Sequence, residues 1–366
     1  MKKQQASGGR GQSEVRKAGR PARRSARQPS GRVTIHDVAA RARVSVATVS
    51  RALQSPGIVA EDSRRKVLAA VAKLGYSPNV QARSLRTART HTIVALVPDI
   101  SNPFYSAVIR GIERVAHQNQ YSVLLGDTQH SVEREQSYAE LISRRQADGL
   151  ITLAPRVPVI SHTGRAPVVN ACEYVKDPAI ASVHIDNARA AREALVHLIN
   201  LGHRDIAFIA GREHTPISAD RERGYRQALE AAGLPVNPEL VAQGDFSVES
   251  GVRAMEQLYA AEQPFTAVFC SNDEMAIGAL QVIKGRGQRI PEDVSVIGFD
   301  DIPHARYTDP PLTTIAQPMA ELGMEAMTML LEILQDPTTR PRKRILPAPL
   351  VIRASAGRCR RSTARS

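Results

Sequence analysis

Residues 33–54 read VTIHDVAARARVSVATVSRALQ, and this pattern predicts two short helices joined by a tight turn. Thr34 is placed to cap the first helix, and Asp37, three residues later, can complete a capping box. The apolar residues of this helix recur at helical spacing on one face, formed by Val38, Ala39 and Ala42. Ser45 is a suitable cap for the second helix, predicted over residues 46–53.

The second helix divides into two faces. Val49, Ala52 and Leu53 point inward, and the outward positions are Val46, Ala47, Ser50 and Arg51. Two short helices with a tight turn between them are the geometry that places the second helix in the major groove of DNA. Taken alone, the stretch fits an ordinary helical hairpin equally well.

The outward side chains match the chemistry of DNA. Arg51 can bridge the O6 and N7 atoms of a guanine, whereas Val46 and Ala47 can sense only apolar surface such as thymine methyl groups. The remaining candidates are short hydroxyls that can reach phosphates and set the register, namely Ser45, Thr48 and Ser50.

The stretch TIHDVAARARVSVATVSRAL, the later LGYSPN and the segment QARSLRT together resemble the DNA-binding headpiece of the lactose/galactose repressor (LacI/GalR) family. The resemblance continues to about residue 356. It implies a helix-turn-helix domain over residues 33–78, in which residues 46, 47 and 51 read bases. It also implies a hinge helix over residues 79–86 in the minor groove, with Leu85 as a wedge between base pairs. The resulting DNA-contacting set is Thr34, Ser45, Val46, Ala47, Thr48, Ser50, Arg51, Asn79, Ala82 and Leu85.

The segment after the headpiece, residues 79–91, carries three arginines and only scattered apolar residues. Such a segment is not expected to be helical in isolation. It is either a flexible linker or a hinge that folds on DNA, and the headpiece before it favours the hinge. A third helix is predicted over Glu61–Leu74, with Gly75 as its stop. Ala60 stands where the family usually has a serine or threonine cap, so either Asp62 or Ser63 replaces it or a phosphate contact is missing.

Net positive charge is concentrated in the N-terminal quarter of the chain. Residues 1–91 hold 20 Lys and Arg against four Asp and Glu, whereas the rest of the chain holds 29 against 32. A positive field confined to one module predicts that this module alone contacts a polyanion. Residues 1–32 have few apolar residues and are predicted to be a disordered basic arm, which either adds phosphate contacts or only improves solubility.

Composition excludes several protein classes. No apolar run reaches the length of a membrane helix, and the N-terminus lacks the apolar core of a signal peptide. Cys172, Cys270 and Cys359 are widely separated and form no metal-binding or redox motif. We therefore expect a reduced, cytoplasmic setting, associated with the bacterial nucleoid if the chain binds DNA, with no metal and no cofactor.

From residue 92 to about 356, short apolar runs alternate with amphipathic helices. The first series comprises the strands TIVALVP, YSVLLGD, GLITLA and PVVNA and the helices 103–118, 133–146 and 187–201. The second comprises the strands DIAFIAG, TAVFC and VSVIGF and the helices 220–232, 248–261 and 272–284. This alternation predicts two doubly wound α/β lobes with a ligand cleft at the carboxyl ends of the strands.

The resemblance implies the same architecture, a two-lobed fold like that of type I periplasmic binding proteins, which also mediates dimerisation. The resemblance also implies that the chain crosses between the lobes more than once, with LTTIAQPMAELG at the return crossing. A long helix is predicted after it, over residues 319–334. The chain then ends in a basic tail, residues 357–366, without the heptad leucines of a coiled coil.

The candidate effector residues lie at strand ends or in first turns of helices. Phe104 and Tyr105 can stack on a planar ring or close over a sugar, and Arg221 and Asp300 can hold hydroxyls by charge-assisted hydrogen bonds. Phe246 and Asn272 complete the set. In the family, residues at these positions line the effector cleft, and an aspartate like Asp300 commonly anchors a ribose or pyranose. Each of these residues also has a simpler interpretation. The aromatic residues could belong to the core, Arg221 could form a surface ion pair, and Asp300 could be a turn residue.

Several stretches are most similar to the cytidine-responsive branch of the family: VPDISNPFYSAVIRGIE, VHIDN, GDFSVESG, AVFCSNDEMAIGAL and DPPLTTIAQP. The hinge QARSLRT departs from that branch. The resemblance thus implies a repressor that binds a pseudo-palindromic, double-stranded operator as a homodimer and responds to a nucleoside such as cytidine, or alternatively to a sugar.

The sequence gives less support to two other classes of protein. An enzyme acting on a nucleoside or sugar lacks support, because the chain has no GxSxG, HExxH or GxxxxGK[ST] motif and its ten histidines show no ligand spacing. An exported solute-binding protein shares the two-lobed fold, but it does not fit the basic headpiece or the missing signal peptide.

Overall fold

The computed structural model describes residues 33–54, 56–77, 89–161, 166–175 and 177–360. These residues form two compact units, a headpiece before residue 80 and an α/β unit after it. The predictions for the arm (1–32), for the hinge residues Asn79, Ala82 and Leu85, and for residues 361–366 of the tail fall outside the described residues.

The headpiece contains three helices, α1 (Ile35–Ala42), α2 (Val46–Gln54) and α3 (Glu61–Leu74), with a 3₁₀ turn at Pro56–Ile58. The predicted capping box is confirmed: the Asp37 N–H donates to Thr34 Oγ1, and the Thr34 N–H donates to Asp37 Oδ2 at 2.8 Å. The helices enclose a small apolar core made of Val38, Ala39, Ala42, Val49, Ala52, Val67 and Ala70.

The helix ends follow local backbone rules. Arg43 adopts a left-handed conformation (φ 56°) and turns the chain from α1 towards α2. The predicted cap Ser45 is confirmed, since its Oγ accepts the Thr48 N–H at 3.1 Å. Gly75 closes α3 at φ 61°, a conformation that favours glycine. The expected replacement cap is not seen for Asp62, whose carboxylate pairs instead with Arg65 and Lys66 of the same helix.

The α/β unit contains two six-stranded sheets. Lobe 1 is built on the order β11-β5-β4-β3-β1-β2 and lobe 2 on the order β12-β10-β9-β8-β6-β7. The strands are β1 (Thr92–Val97), β2 (Ser122–Asp127), β3 (Gly149–Thr152), β4 (Val168–Ala171), β5 (Ala181–Ile185), β6 (Ile206–Ala210), β7 (Val241–Gln243), β8 (Ala267–Cys270), β9 (Ser295–Asp300), β10 (Thr313–Ala316), β11 (Lys343–Leu346) and β12 (Leu350–Val351). Pairing is parallel except between β10 and β12.

Helices cover the sheets. They are α4 (Pro103–Gln118), α5 (Val132–Ser143), α6 (Asn187–Asn200), α7 (Pro216–Ala231), α8 (Val248–Ala260), α9 (Asp273–Gly285) and α10 (Met319–Gln335). The central strands β3, β4, β6 and β8 are buried at every residue, as expected for parallel strands with helices on both faces. The predicted two-lobed α/β class is confirmed.

The chain crosses between the lobes three times. It leaves lobe 1 after β5, because α6 packs on α7 in lobe 2. It returns before α10, which packs on α4 and on the strands of lobe 1, and β11 continues that sheet. It passes back to lobe 2 before β12. This agrees with the expectation of more than one crossing.

Two predicted helices have the wrong bounds. The helix predicted over 133–146 is Val132–Ser143, because Arg145 takes a left-handed conformation (φ 55°) that turns the chain. The helix predicted to begin at residue 220 begins at Pro216, since proline suits the first turn of a helix. Five strands were not predicted because they are short and lie mostly towards sheet edges, namely β5, β7, β10, β11 and β12.

Cys172 and Cys270 are buried, as predicted for core residues. None of the described helices is both long enough and apolar enough to cross a membrane.

Candidate functional site

The outward face of α2 is the first candidate site. Ala47 and Arg51 are exposed, and Ser50 is half-buried beside them. Val46 differs from the expectation of a wholly outward side chain, because it is half-buried and packs against the headpiece core. The face therefore presents one long cation and two small side chains, which is a surface able to enter a major groove.

The hydroxyls around α2 already have partners within the headpiece. Thr34 Oγ1 donates to Asp37 Oδ2 at 2.7 Å, and the hydroxyls of Ser45 and Thr48 lie 2.8 Å apart. Thr34 and Ser45 are exposed and Thr48 is half-buried. These groups stabilise the ends of the two helices, and each oxygen retains capacity for a further hydrogen bond to a phosphate.

The second candidate site is a cavity of about 390 Å³ between the lobes, at the carboxyl ends of the parallel strands. All six predicted effector residues line it: Phe104, Tyr105, Arg221, Phe246, Asn272 and Asp300. The volume falls in the range of small-molecule sites. Other lining residues that the sequence analysis did not single out include His130, Glu173, Arg212, Glu274 and Gln317.

Arg221 is held rigidly in lobe 2. It is 3% exposed, its Nε donates to Asn187 Oδ1 at 3.0 Å, and its Nη1 donates to the Ser271 carbonyl. The guanidinium carbon lies 3.8 Å from the centroid of the Phe299 ring. A guanidinium fixed on three sides in this way presents its remaining edge to the cavity in one orientation.

Asp300 lies beside that edge. Its Oδ1 is 3.8 Å from Arg221 Nη2 and accepts a 2.7 Å hydrogen bond from the Gln317 amide. Burial raises the pKa of Asp300 to about 6, although the charge of Arg221 and the hydrogen bond from Gln317 both lower it. Asp300 is therefore largely ionised at neutral pH and can accept hydrogen bonds from ligand hydroxyls.

Aromatic side chains form two walls of the cavity. In lobe 1, the rings of Phe104 and Tyr105 meet edge to face with centroids 5.3 Å apart. In lobe 2, Phe246 has a left-handed backbone (φ 76°), and its ring packs over Gly211 so closely that a Cβ there would lie 2.2 Å from the ring. A planar or apolar ligand face can pack against either wall.

Asn272 lines the cavity, but both ends of its amide are occupied. Its Oδ1 accepts the Met275 N–H at 2.9 Å and caps α9, and its Nδ2 donates to the Phe246 carbonyl at 2.9 Å. Asn272 therefore positions Phe246, and this role supplements the ligand contact predicted from the sequence.

Glu173 is a cavity residue that the sequence analysis missed. It is 4% exposed, and its Oε2 has no hydrogen-bond partner among the described residues. Burial raises the pKa of this carboxyl to about 8, although the charge of Arg221 and a hydrogen bond from the Ile217 backbone lower it. The position was detectable, because Glu173 follows β4 at the carboxyl edge where the other candidates were chosen.

The sequence analysis also missed Arg212 and Glu274, which lie at the same edge of the sheets. Arg212 follows β6, its Nη2 donates to the Asp245 carbonyl at 3.5 Å, and its Nε is buried without a partner within the described part of the chain. Glu274 lies in the first turn of α9. Burial, and then the charge of Asp300, raise its pKa to about 7.

Each of the two units contains a match to a known family. Residues 34–79 match the family of bacterial regulatory proteins described as the lacI family, and residues 195–356 match the periplasmic binding protein-like domain. The HTH-type transcriptional repressor CytR of Escherichia coli K12 is 43% identical over 88% of the chain and 96% of that protein. Catabolite control protein A of Priestia megaterium is 37% identical over 84% of the chain and 94% of that protein.

Solved structures give the same result. The lac repressor dimer bound to operator and the anti-inducer ONPF superposes with a TM-score of 0.79 at 28% identity, covering 89% of this chain and all of that one. A complex of the transcriptional regulator CelR with cellobiose superposes with a TM-score of 0.65 at 30% identity, with the same coverage.

Proposed function

Because the chain belongs to the LacI family of bacterial regulatory proteins, we propose that it is a cytoplasmic repressor that binds a pseudo-palindromic operator as a homodimer under the control of a small ligand. The relatives named above are transcriptional regulators rather than enzymes. One observation carries the proposal. The same chain has a compact helical unit that exposes Ala47 and Arg51 and a second unit with a ligand-sized cleft.

The DNA contacts proposed for the headpiece divide by chemistry. Arg51 reads a guanine, and Val46 and Ala47 contact apolar base edges. The hydroxyls of four residues contact phosphates and fix the register of the headpiece on DNA, namely those of Thr34, Ser45, Thr48 and Ser50. The proposed hinge contacts of Asn79, Ala82 and Leu85 rest on the family resemblance alone.

A nucleoside such as cytidine is the proposed ligand. The aromatic walls offer faces for a base, and Arg221 and Asp300 offer partners for ribose hydroxyls. The 43% identity to a repressor named CytR supports this choice. A sugar is the second candidate, because similar structures contain cellobiose and ribose.

The proposed mechanism is a shift between two lobe arrangements. A ligand in the cleft contacts residues of both lobes and changes the operator affinity only if it binds the two arrangements unequally. A coupling of about 1–3 kcal/mol is typical of such systems.

Two measurements test this function. Selection of duplexes from a random pool should return a sequence with two-fold symmetry, whereas enrichment of no sequence would contradict the DNA-binding role. A thermal-shift screen with nucleosides and sugars should then identify a ligand. At 100 times its dissociation constant, a ligand stabilises the folded state by about 2.7 kcal/mol, which is readily measured. Adding that ligand should change the affinity for the selected duplex.

A further inference from the structure

The segments in which the chain crosses between the lobes lie side by side. The second crossing follows β10 and the third precedes β12, and the Ala316 N–H donates to the Pro349 carbonyl at 2.8 Å. The first and third crossings line one groove, with Asp186 from the first and residues 347–349 from the third. Hinge motions are absorbed by a few residues at the ends of elements, so a change in the arrangement of the lobes alters the backbone of these segments.

The first crossing carries a hydrogen-bond partner of Arg221. Asn187 is the first residue of α6, directly after this crossing, and it is 4% exposed. Its Oδ1 accepts a hydrogen bond from Arg221 Nε at 3.0 Å. Gly224 brings α7 so close to α6 that a Cβ there would lie 2.3 Å from the Ala188 carbonyl oxygen. The helix that carries Arg221 is therefore packed directly against the first turn after the crossing.

The second crossing carries a hydrogen-bond partner of Asp300. Gln317 is 6% exposed, and it donates to the Asp300 carboxylate from its side chain at 2.7 Å and to the Asp300 carbonyl from its backbone at 3.1 Å. Asp300 has a φ of 119°, which is rare for a residue other than glycine and persists only where the surroundings hold it. Gln317 thus holds both the side chain and the strained backbone of Asp300.

The charged pair of the cavity is therefore held from two crossings. Arg221 and Asp300 both belong to lobe 2, with 3.8 Å between Nη2 and Oδ1. Each of them receives one of its hydrogen bonds from a buried side-chain amide at a crossing, Asn187 for the first and Gln317 for the second. The orientation of both charged groups thus depends on segments that change when the lobes move.

From this correspondence we propose that Asn187 and Gln317 are positioning residues that couple the ligand affinity of the cleft to the arrangement of the lobes. The inference rests on the proposed function and deepens its regulation. In the arrangement described, the two amides orient Arg221 and Asp300 at the cavity and preorganise it for a ligand. A different arrangement displaces the crossings, weakens these hydrogen bonds and lowers the affinity. The ligand then binds the two arrangements unequally, which is the condition for shifting their populations.

Operator-binding titrations of the full-length protein measure this coupling. Fluorescence anisotropy with the duplex selected from a random pool gives the operator dissociation constant without a probe, with saturating cytidine and, separately, with saturating ribose. The ratio of the constants with and without a probe is the coupling factor. For a probe that acts on the wild type, Asn187→Ala and Gln317→Ala should each bring this ratio at least about threefold closer to one. A merely structural role would weaken probe binding to both arrangements alike and leave the ratio at saturation unchanged.

Two further variants serve as controls. Asn187→Asp keeps an oxygen that accepts the hydrogen bond from Arg221 Nε, and its coupling ratio should stay within about twofold of the wild-type ratio. Asn200→Ala, at the exposed last residue of α6, should bind operator and probe as the wild type does. Unchanged coupling ratios in both Asn187→Ala and Gln317→Ala would overturn the inference.

A measurement without any probe decides the matter if neither cytidine nor ribose alters operator binding. Because the two amides stabilise one arrangement, removing both in Asn187→Ala/Gln317→Ala shifts the populations, and the operator affinity should differ from the wild-type value by more than about threefold. Equal affinities would then overturn the inference, while a selected duplex would leave the DNA-binding function standing. A selection that returns no duplex would instead contradict the proposed function itself.

Discussion

The side-chain amide of Gln317 donates a 2.7 Å hydrogen bond to Asp300 Oδ1, and the Gln317 backbone N–H donates to the Asp300 carbonyl at 3.1 Å. Asp300 ends β9 in the cleft, and Gln317 follows β10 where the chain leaves lobe 2 for α10. A cavity residue is thus bonded directly to a segment that connects the lobes. A ligand that binds Asp300 therefore acts on one end of this crossing.

Gln317→Ala should weaken ligand binding, because it removes a hydrogen bond that orients the Asp300 carboxylate and lowers its pKa. Hydrogen bonds to charged groups contribute about 1.5–3 kcal/mol, so we expect a loss of roughly tenfold or more in affinity, measured by calorimetry with the ligand identified in the screen. Gln257→Ala, at an exposed position of α8, is the matched control. Equal affinities of the two variants would show that this hydrogen bond does not support the site.

Glu173 should make the stability of the α/β unit depend on pH. Its pKa is about 8 in the folded protein, raised by burial from 4.5, so between these values the folded state binds more protons than the unfolded state. Stability linked to Glu173 is then fully present below pH 4.5 and is lost as pH rises towards 8. The loss is at most about 1.4 kcal/mol per pH unit.

Urea unfolding of wild type and Glu173→Gln across this pH window measures the effect. The free energy of unfolding of the variant should fall less steeply with pH than that of the wild type. Parallel pH profiles of the two proteins would mean that burial does not raise the pKa of the Glu173 carboxyl. Other carboxyls with raised pKa values are present in both proteins and cancel in the comparison, to the extent that they do not couple to Glu173.

Asp148 should anchor the first described residues after the linker. Its Oδ1 accepts hydrogen bonds from the Thr90 N–H at 2.7 Å and from Thr90 Oγ1 at 2.8 Å, and its Oδ2 accepts the His91 N–H at 2.9 Å. Asp148→Ala removes all three bonds and should accelerate hydrogen exchange at the Thr90 and His91 amides.

We expect this substitution to lower the free energy of unfolding by about 1–3 kcal/mol, because a partly buried charge-assisted cluster is lost. Glu113→Ala, at an exposed position of α4, should change neither quantity. If exchange at residues 90 and 91 is unchanged in Asp148→Ala, the anchor is held by other contacts, such as the Arg89 hydrogen bond to the Leu334 carbonyl.

Arg51→Ala should relax base preference at one position in each half of the operator and cost about 1–3 kcal/mol of binding free energy. The check is repeated selection from random duplexes, followed by anisotropy titrations. Lys73→Ala, an exposed cation in the last turn of α3, removes the same charge and should at most weaken binding to all sequences alike. An unaltered selected sequence for Arg51→Ala would remove this residue from the proposed readout.

Much of the secondary structure was predictable because its causes are local. The capping box of Thr34 and Asp37, the Ser45 cap and the Gly75 stop depend on residues within a few positions of one another. The long apolar runs of the central strands and the helical spacing of their neighbours likewise predicted parallel sheets. Four of the missed strands have four residues or fewer, too few for a periodic signal.

The candidate cleft residues were partly predictable for a different reason. Parallel strands place their carboxyl ends along one edge, which is why Asp300 at the end of β9 was selected, and both Asp300 and Arg221 line the cavity. The burial of Glu173 was not predictable, because this lobe 1 residue is surrounded by groups of lobe 2 such as Arg221.

The sequence by itself determined the helices of the headpiece, the central strands, the segregation of positive charge and the family to which the chain belongs. Only the tertiary structure decided that α10 and β11 return to lobe 1, that Gln317 holds Asp300, and that Glu173 lies buried at the cleft. The reason is physical. Helix caps and periodic patterns are set by neighbouring residues, whereas strand pairing, burial and the pKa of a carboxyl depend on groups brought together from distant parts of the chain.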